Sequence, residues 1–130
     1  MPLKYPQLEV WQLAITYVKA YYGLLRKFPD DEKFGLVAQG RRAAVSIALN
    51  VAEGSGRRTD RDFSLFVNRA ISSLLETDAI LRIGLDLGYI TTKDCCSIQP
   101  LMEEEYFKLV AFDKALHRNP QSRRRYSDEL

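Results

Sequence analysis

The chain has 130 residues, 46% of them apolar and 28% charged, with 7 glycines and 5 prolines, which suits one globular domain with a real core rather than a disordered or fibrous chain. Its net charge of +2 is too small for charge alone to demand a polyanionic partner. Charge-free runs stop at about a dozen residues, short of the roughly 20 that a membrane span needs.

Residues 1–6, with Pro2 and Pro6, read as an extended lead-in without a charged-then-apolar leader. The first helix is expected over about 8–27. Trp11, Ala14, Val18, Tyr21 and Leu25 form one stripe, and Val10, Leu13, Tyr17, Leu24 and Phe28 form a second beside it. Two adjacent stripes exceed what a single buried face requires, so this helix is expected to serve a second interface as well. Pro29 ends it.

Asp30 and Asp31 offer cap and first-turn acids for a second helix over about 31–53, closed by Gly54-Ser55-Gly56. Within it, Arg42, Ser46, Asn50 and Glu53 recur at intervals of four, four and three, so they line one row of a helix flanked by apolar residues. The expectation is an enclosed central helix whose polar row is answered by hydrogen bonds, because an unpaired buried polar group costs roughly 1–3 kcal/mol. Gly40, unfavourable inside a helix, marks a close approach of another helix.

A third helix is expected over about 59–87. Thr59 sits at its N-cap, with Asp62 in the capping-box position. Phe63, Phe66, Ala70, Leu74 and Leu81 supply its core stripe, and Leu87-Gly88 ends it. Ser73 and Glu76 on this helix, with Asn68 and Ser72, are the natural partners of the Arg42/Ser46/Asn50/Glu53 row. A fourth helix is expected over about 92–116, capped by Thr91 or Thr92, with Pro100 as a kink or a later start. Its stripe is Ile98, Leu101 or Met102, Leu109, Phe112 and Leu116. Residues 119–130 read as a flexible basic tail. No strand pattern intervenes and the connections are short. Residues 1–118 are therefore expected to form an all-α, antiparallel up-down-up-down four-helix bundle.

Catalytic chemistry finds little to work with. His117 is the one histidine, at the edge of the tail, which removes a histidine-based metal site or acid–base dyad from the core. Cys95 and Cys96 are adjacent, lack further metal ligands at suitable spacing, and are read as structural free thiols in a reducing cytosol. Glu53 and Glu76 are better assigned to the interhelical network than to a metal. The reading is a non-enzyme without metal or cofactor, located in the cytoplasm.

The charge distribution says more than the net charge. Between Ala38 and Arg61 lie Arg41, Arg42, Arg57, Arg58 and Arg61 against Glu53 and Asp60, and Arg123, Arg124 and Arg125 form a second cluster. Arg57 and Arg58 follow two glycines and precede a helix N-terminus, where backbone amides and the helix dipole favour an anion. Arg41, Arg57, Arg58 and Arg61, with Arg123–Arg125 as auxiliaries, are the candidate nucleic-acid-binding residues. The alternative is a protein-interaction scaffold whose arginines only solvate.

Several runs resemble a known family: Phe28-Pro29, Phe34-Gly35-Leu36, Arg41-Arg42-Ala43-Ala44, Ser46-Ile47, Asn50-Val51-Ala52-Glu53-Gly54, Gly56-Arg57-Arg58, Ser73-Leu74 with Glu76, and Leu87-Gly88-Tyr89-Ile90. They resemble the S23-type four-helix bundle proteins, often encoded by intervening sequences within bacterial 23S ribosomal RNA genes, over about residues 8–116. Gly40, usually a larger apolar residue, and the arginine-rich tail depart from the pattern. The resemblance implies a bundle assembled into a homopentameric ring. It is related to the accessory variability determinants of diversity-generating retroelements, similar basic pentamers that bind nucleic acid and a reverse transcriptase. It implies no catalytic residue, and a pentamer would multiply the +2 charge fivefold. Expected partners are thus further copies of the chain, RNA or DNA, and a protein, but no membrane.

Overall fold

The computed structural model describes residues 3–118. Four helices, α1 (Glu9–Leu25), α2 (Leu36–Ser55), α3 (Asp60–Asp86) and α4 (Thr92–Arg118), are joined by short connections, with 3-10 turns at Tyr5–Gln7 and Asp30–Glu32. Each helix packs on its neighbours in the order α1, α2, α3, α4 and back to α1, the arrangement of a four-helix bundle. Polar ties show the directions. Lys27 beyond the end of α1 meets Asp94 at the start of α4 (2.6 Å), whereas Glu9 at the start of α1 meets Lys108 far along α4 (3.1 Å). None of the described helices is long and apolar enough to cross a membrane.

The core follows alternating three- and four-residue spacing. Val10, Ala14, Tyr17, Tyr21 and Leu24 are buried on α1, and Val37, Gly40, Ala44, Ile47, Val51 and Gly54 on α2. Gly40 does mark a close approach: a Cβ there would stand 3.2 Å from both Leu25 and Tyr21 side chains. At the end of α3, Gly88 adopts a φ of 79° and the amide of Tyr89 returns to the Gly84 carbonyl (2.8 Å), a Schellman closure. In the dry interior the Thr77 hydroxyl donates to the Leu74 carbonyl (2.6 Å). The Tyr17 hydroxyl must therefore donate to Thr77 Oγ1 (2.9 Å), while Tyr21 donates to the Thr77 carbonyl (2.8 Å).

Three expectations are corrected. The second helix starts at Leu36, not near residue 31. Asp30–Glu32 form a separate 3-10 turn, Gly35 breaks the path between them, and the Glu32 carboxylate rather than an Asp accepts the Leu36 amide (3.1 Å). Pro100 neither delays nor divides α4, which runs through it. The carbonyl that Pro100 leaves without a helical donor belongs to exposed Cys96, where water can reach it.

The third correction concerns the polar row of α2. Arg42 and Glu53 are exposed, and Ser46 and Asn50 are only half-buried. At about 100° per residue the row lies on the far side of the helix from Ala44 and Val51, so it borders solvent. The flanking alanines misled the reading, because an alanine adds apolar character without enough surface to force burial. Part of the network exists at the rim of a groove between α2 and α3 lined by Gln39, Arg42, Ala43, Ser46, Ser73 and Glu76. There Ser73 donates to Ser46 (3.0 Å), Asn50 donates to the Ser46 carbonyl and hydroxyl, and Glu76 accepts from Gln39 (3.1 Å). Arg42 and Glu53 take part in none of these bonds.

Candidate nucleic-acid interface

The α2–α3 corner is built by close contact. A Cβ on Gly54 would come within 2.6 Å of the Phe63 ring and 2.8 Å of Phe66 Cβ, so glycine here lets the end of α2 lie directly on the first turns of α3. The chain then turns through Gly56, Arg57 and Arg58 to Thr59, whose hydroxyl accepts the Asp62 amide (3.0 Å) and caps α3. Phe66, 8% exposed, serves two masters: its edge fills the corner, and the guanidinium carbons of Arg57 and Arg69 lie 4.9 and 4.7 Å from its ring centre. Arg58 and Arg61 are exposed on either side of the cap. Among the described residues none of these four arginines takes part in an ion pair.

The other candidate residues are distributed unevenly. Arg41 lies over the Tyr22 ring at 5.6 Å, fourteen residues before the end of α2 at Ser55 and so about 21 Å of helix axis from the corner. It does not join the corner. Arg123, Arg124 and Arg125 lie outside the described residues.

Beside the corner the structure assembles a group around His117, the histidine expected to lie apart from the core. Ser64 on α3 donates to the Asp113 carboxylate on α4, Ser64 Oγ lies 2.9 Å from His117 Nε2, and Asn68 donates to Asp113 (3.2 Å). With its hydrogen directed at Asp113, Ser64 can only accept from His117, so Nε2 carries the proton. Asp113 stands 3.6 Å from that same nitrogen. A nucleophile triad needs the carboxylate on the opposite nitrogen and the serine proton on the imidazole. Ser64 meets neither condition and is 5% exposed, so the group is a clasp between the start of α3 and the end of α4. No three described His, Cys, Asp or Glu side chains are grouped to hold a metal ion.

The missed residues had signals of different quality. Arg69 follows Phe66 by one helical turn, which the core-stripe assignment of Phe66 obscured. His117 and Asp113 share a turn of α4, but their pairing with Ser64 depends on how far α4 runs past α3, which no local pattern states.

The family model of the 23S rRNA-intervening sequence proteins matches residues 6–111. This chain belongs to that family. Among solved structures, the crystal structure of a protein with unknown function from the S23 ribosomal protein family of Bacteroides thetaiotaomicron is similar, with a TM-score of 0.73 and 24% identity. The match covers 81% of this chain and 98% of that one, a likeness of fold. Curated proteins give no match. The α2–α3 corner, with Arg57, Arg58, Arg61 and Arg69, thus lies within the segment that defines this chain as a 23S rRNA-intervening sequence protein.

Proposed function

We propose that the protein is a non-enzymatic, cytoplasmic nucleic-acid-binding protein that works as a homo-oligomer, a pentameric ring, with its binding surface at the α2–α3 corner. The observation that carries the reading is the set of four corner arginines that enter no described ion pair. Arginine in a protein's own structure is ordinarily matched by carboxylates or solvated singly; here four share about two turns of helix and one loop. Each arginine that neutralises a phosphate makes log K fall by about 0.7–0.9 per unit of log salt, so several copies give a steep salt dependence. Oligomerisation is supported by apolar surface left on the opposite side. Trp11, Ile15, Val18 and Tyr22 of α1 are half-buried in one row, beside half-buried Val45 and exposed Leu49 (54%) of α2.

Fluorescence anisotropy with a labelled RNA of mixed sequence, titrated with salt, tests the reading. Binding should weaken steeply with salt, and Arg57→Ala/Arg58→Ala should lower the slope while native mass stays unchanged. Absence of binding at low salt to both RNA and DNA overturns it. A protein scaffold is the second reading, favoured by exposed Leu75 and Phe107, 49% and 66%, on α3 and α4. Capture of a partner that survives nuclease and high salt would support it.

A further inference from the structure

The corner is more than a patch of charge. The Arg57 guanidinium carbon lies over the Phe66 ring, 4.9 Å from its centre, and Arg57 is an exposed residue. Next to it lies an open depression of ≈ 300 Å³ lined by Gly56, Arg57, Arg58 and Asp62. Gly56 contributes no side chain to fill it. Leu65, 57% exposed on the same turns of α3 as Arg61 and Arg69, adds apolar surface where a charge-only site would carry none. A planar cation backed by an aromatic ring is a stacking platform, and protein sites for unpaired bases are built from such planes.

Resting on the proposed nucleic-acid reading, we infer that the depression seats an unpaired nucleobase stacked on Arg57, which makes single-stranded rather than duplex nucleic acid the substrate class of this corner. The Asp62 carboxylate on the depression's wall separates the two possibilities. It repels a phosphate but accepts the N–H donors that a base presents on its edge. The seat therefore takes the base, and Arg58, Arg61 and Arg69 around it take the backbone. A duplex keeps its base faces stacked on one another and offers this site nothing but phosphates.

Electrostatics alone predicts the reverse preference. A duplex carries one charge per about 1.7 Å of axis, twice the density of one strand, so a merely cationic surface binds it more tightly. Arg69 shares the Phe66 ring with Arg57, which places the two guanidinium carbons within about 10 Å of each other, close to one Debye length at 0.1 M salt. Two like charges so placed are held by the ring rather than by an acid, and lysine, a point charge without a plane, cannot reproduce that stack.

The test compares an unstructured single-stranded RNA with its duplex of equal length, by anisotropy at one salt concentration, for the wild type and for the charge-preserving Arg57→Lys/Arg69→Lys variant. The wild type should bind the single strand about fivefold or more tightly than the duplex. The lysine variant should lose about fivefold on the single strand and little on the duplex. A 2-aminopurine in the strand should gain fluorescence on binding the wild type, as it leaves its neighbouring bases, and should not do so with the variant. Equal or tighter binding of the duplex, or a lysine variant indistinguishable on the single strand, overturns the stacked-base inference and leaves the cationic surface standing. Failure of both nucleic acids to bind overturns both.

Discussion

Glu105 is the residue least at home in this bundle. With Ile98, Met102 and Leu109 it makes the buried face of α4; it is fully buried, and no described group donates to either of its carboxyl oxygens. Burial first, and then the nearby Glu104 and Glu9 carboxylates, push its carboxyl up to about 9. In the unfolded chain it returns to an ordinary value near 4.5. Between those values the folded state holds a proton that the unfolded state has released, so stability is complete below about pH 4.5 and declines as the pH rises toward 9. At roughly 1.4 kcal/mol per unit, Glu105 lowers stability at pH 7 by about 3 kcal/mol. Glu105→Gln should leave the urea midpoint unchanged at pH 4 and raise it at pH 8. A wild-type profile already flat over that range, or an equal shift at both values, would show that Glu105 is not the titrating group. Nothing in local sequence separates Glu105 from exposed Glu103 and Glu104. Only the 98/102/105/109 spacing points inward, and a carboxylate in that series reads more naturally as a break in the stripe than as a member of it.

Among the helices, α2 shows best what local pattern reveals and what it withholds. Its spacing and its close approach at Gly40 were legible, because each follows from backbone geometry and side-chain size within a few residues; the left-handed glycine expected at its end is not there, since Gly54 lies inside the helix and Gly56 caps it at a φ of -88°. The direction of its polar row was not. Arg42 and Asn50 differ in surroundings only through the angle at which α3 crosses, and a helix with alanine on several sides carries no strong mark of inside and outside. Asn50→Leu should therefore shift stability by about 0.5 kcal/mol or less, as suits a half-exposed site bonded to its own helix. Gly54→Ala should cost about 1–3 kcal/mol, since the new methyl collides with the Phe63 ring and Phe66 Cβ. Urea unfolding of the two variants checks the ranking. A larger loss at position 50 than at 54 would mean that the row, not the corner, holds α2. The corner arginines divide along the same line: Arg57, Arg58 and Arg61 stand out as a basic run, whereas Arg69 joins them only through the packing of Phe66.

At the scale of the whole molecule, two surfaces bear on the proposed function. One side, formed by α1 and α2, carries Trp11, Ile15, Val18, Tyr22, Val45 and Leu49; the α2–α3 end carries arginine. In the proposed oligomer the first surface joins copies and the second gathers their charges, so the two functions are separable by mutation. Leu49→Lys should reduce the native mass to that of smaller species and weaken RNA binding through lost multivalency, with the helical content unchanged by circular dichroism. An unaltered assembly would place the contact between copies elsewhere on the bundle. The order of the four helices was readable because short connections leave few alternatives. The proposed joining face shows in the sequence only as an excess of apolar positions on α1, since residue type does not say which of two stripes turns outward.

Thr77 receives both tyrosine hydroxyls of α1 in the buried interior, across the diagonal of the bundle. A slide of α1 by one helical turn, about 5.4 Å, would carry one tyrosine into the other's place and leave the displaced hydroxyl without its partner. Register between α1 and α3 is thereby fixed at the two tyrosines, so in the proposed oligomer each subunit would move as one body and carry its arginine end with it.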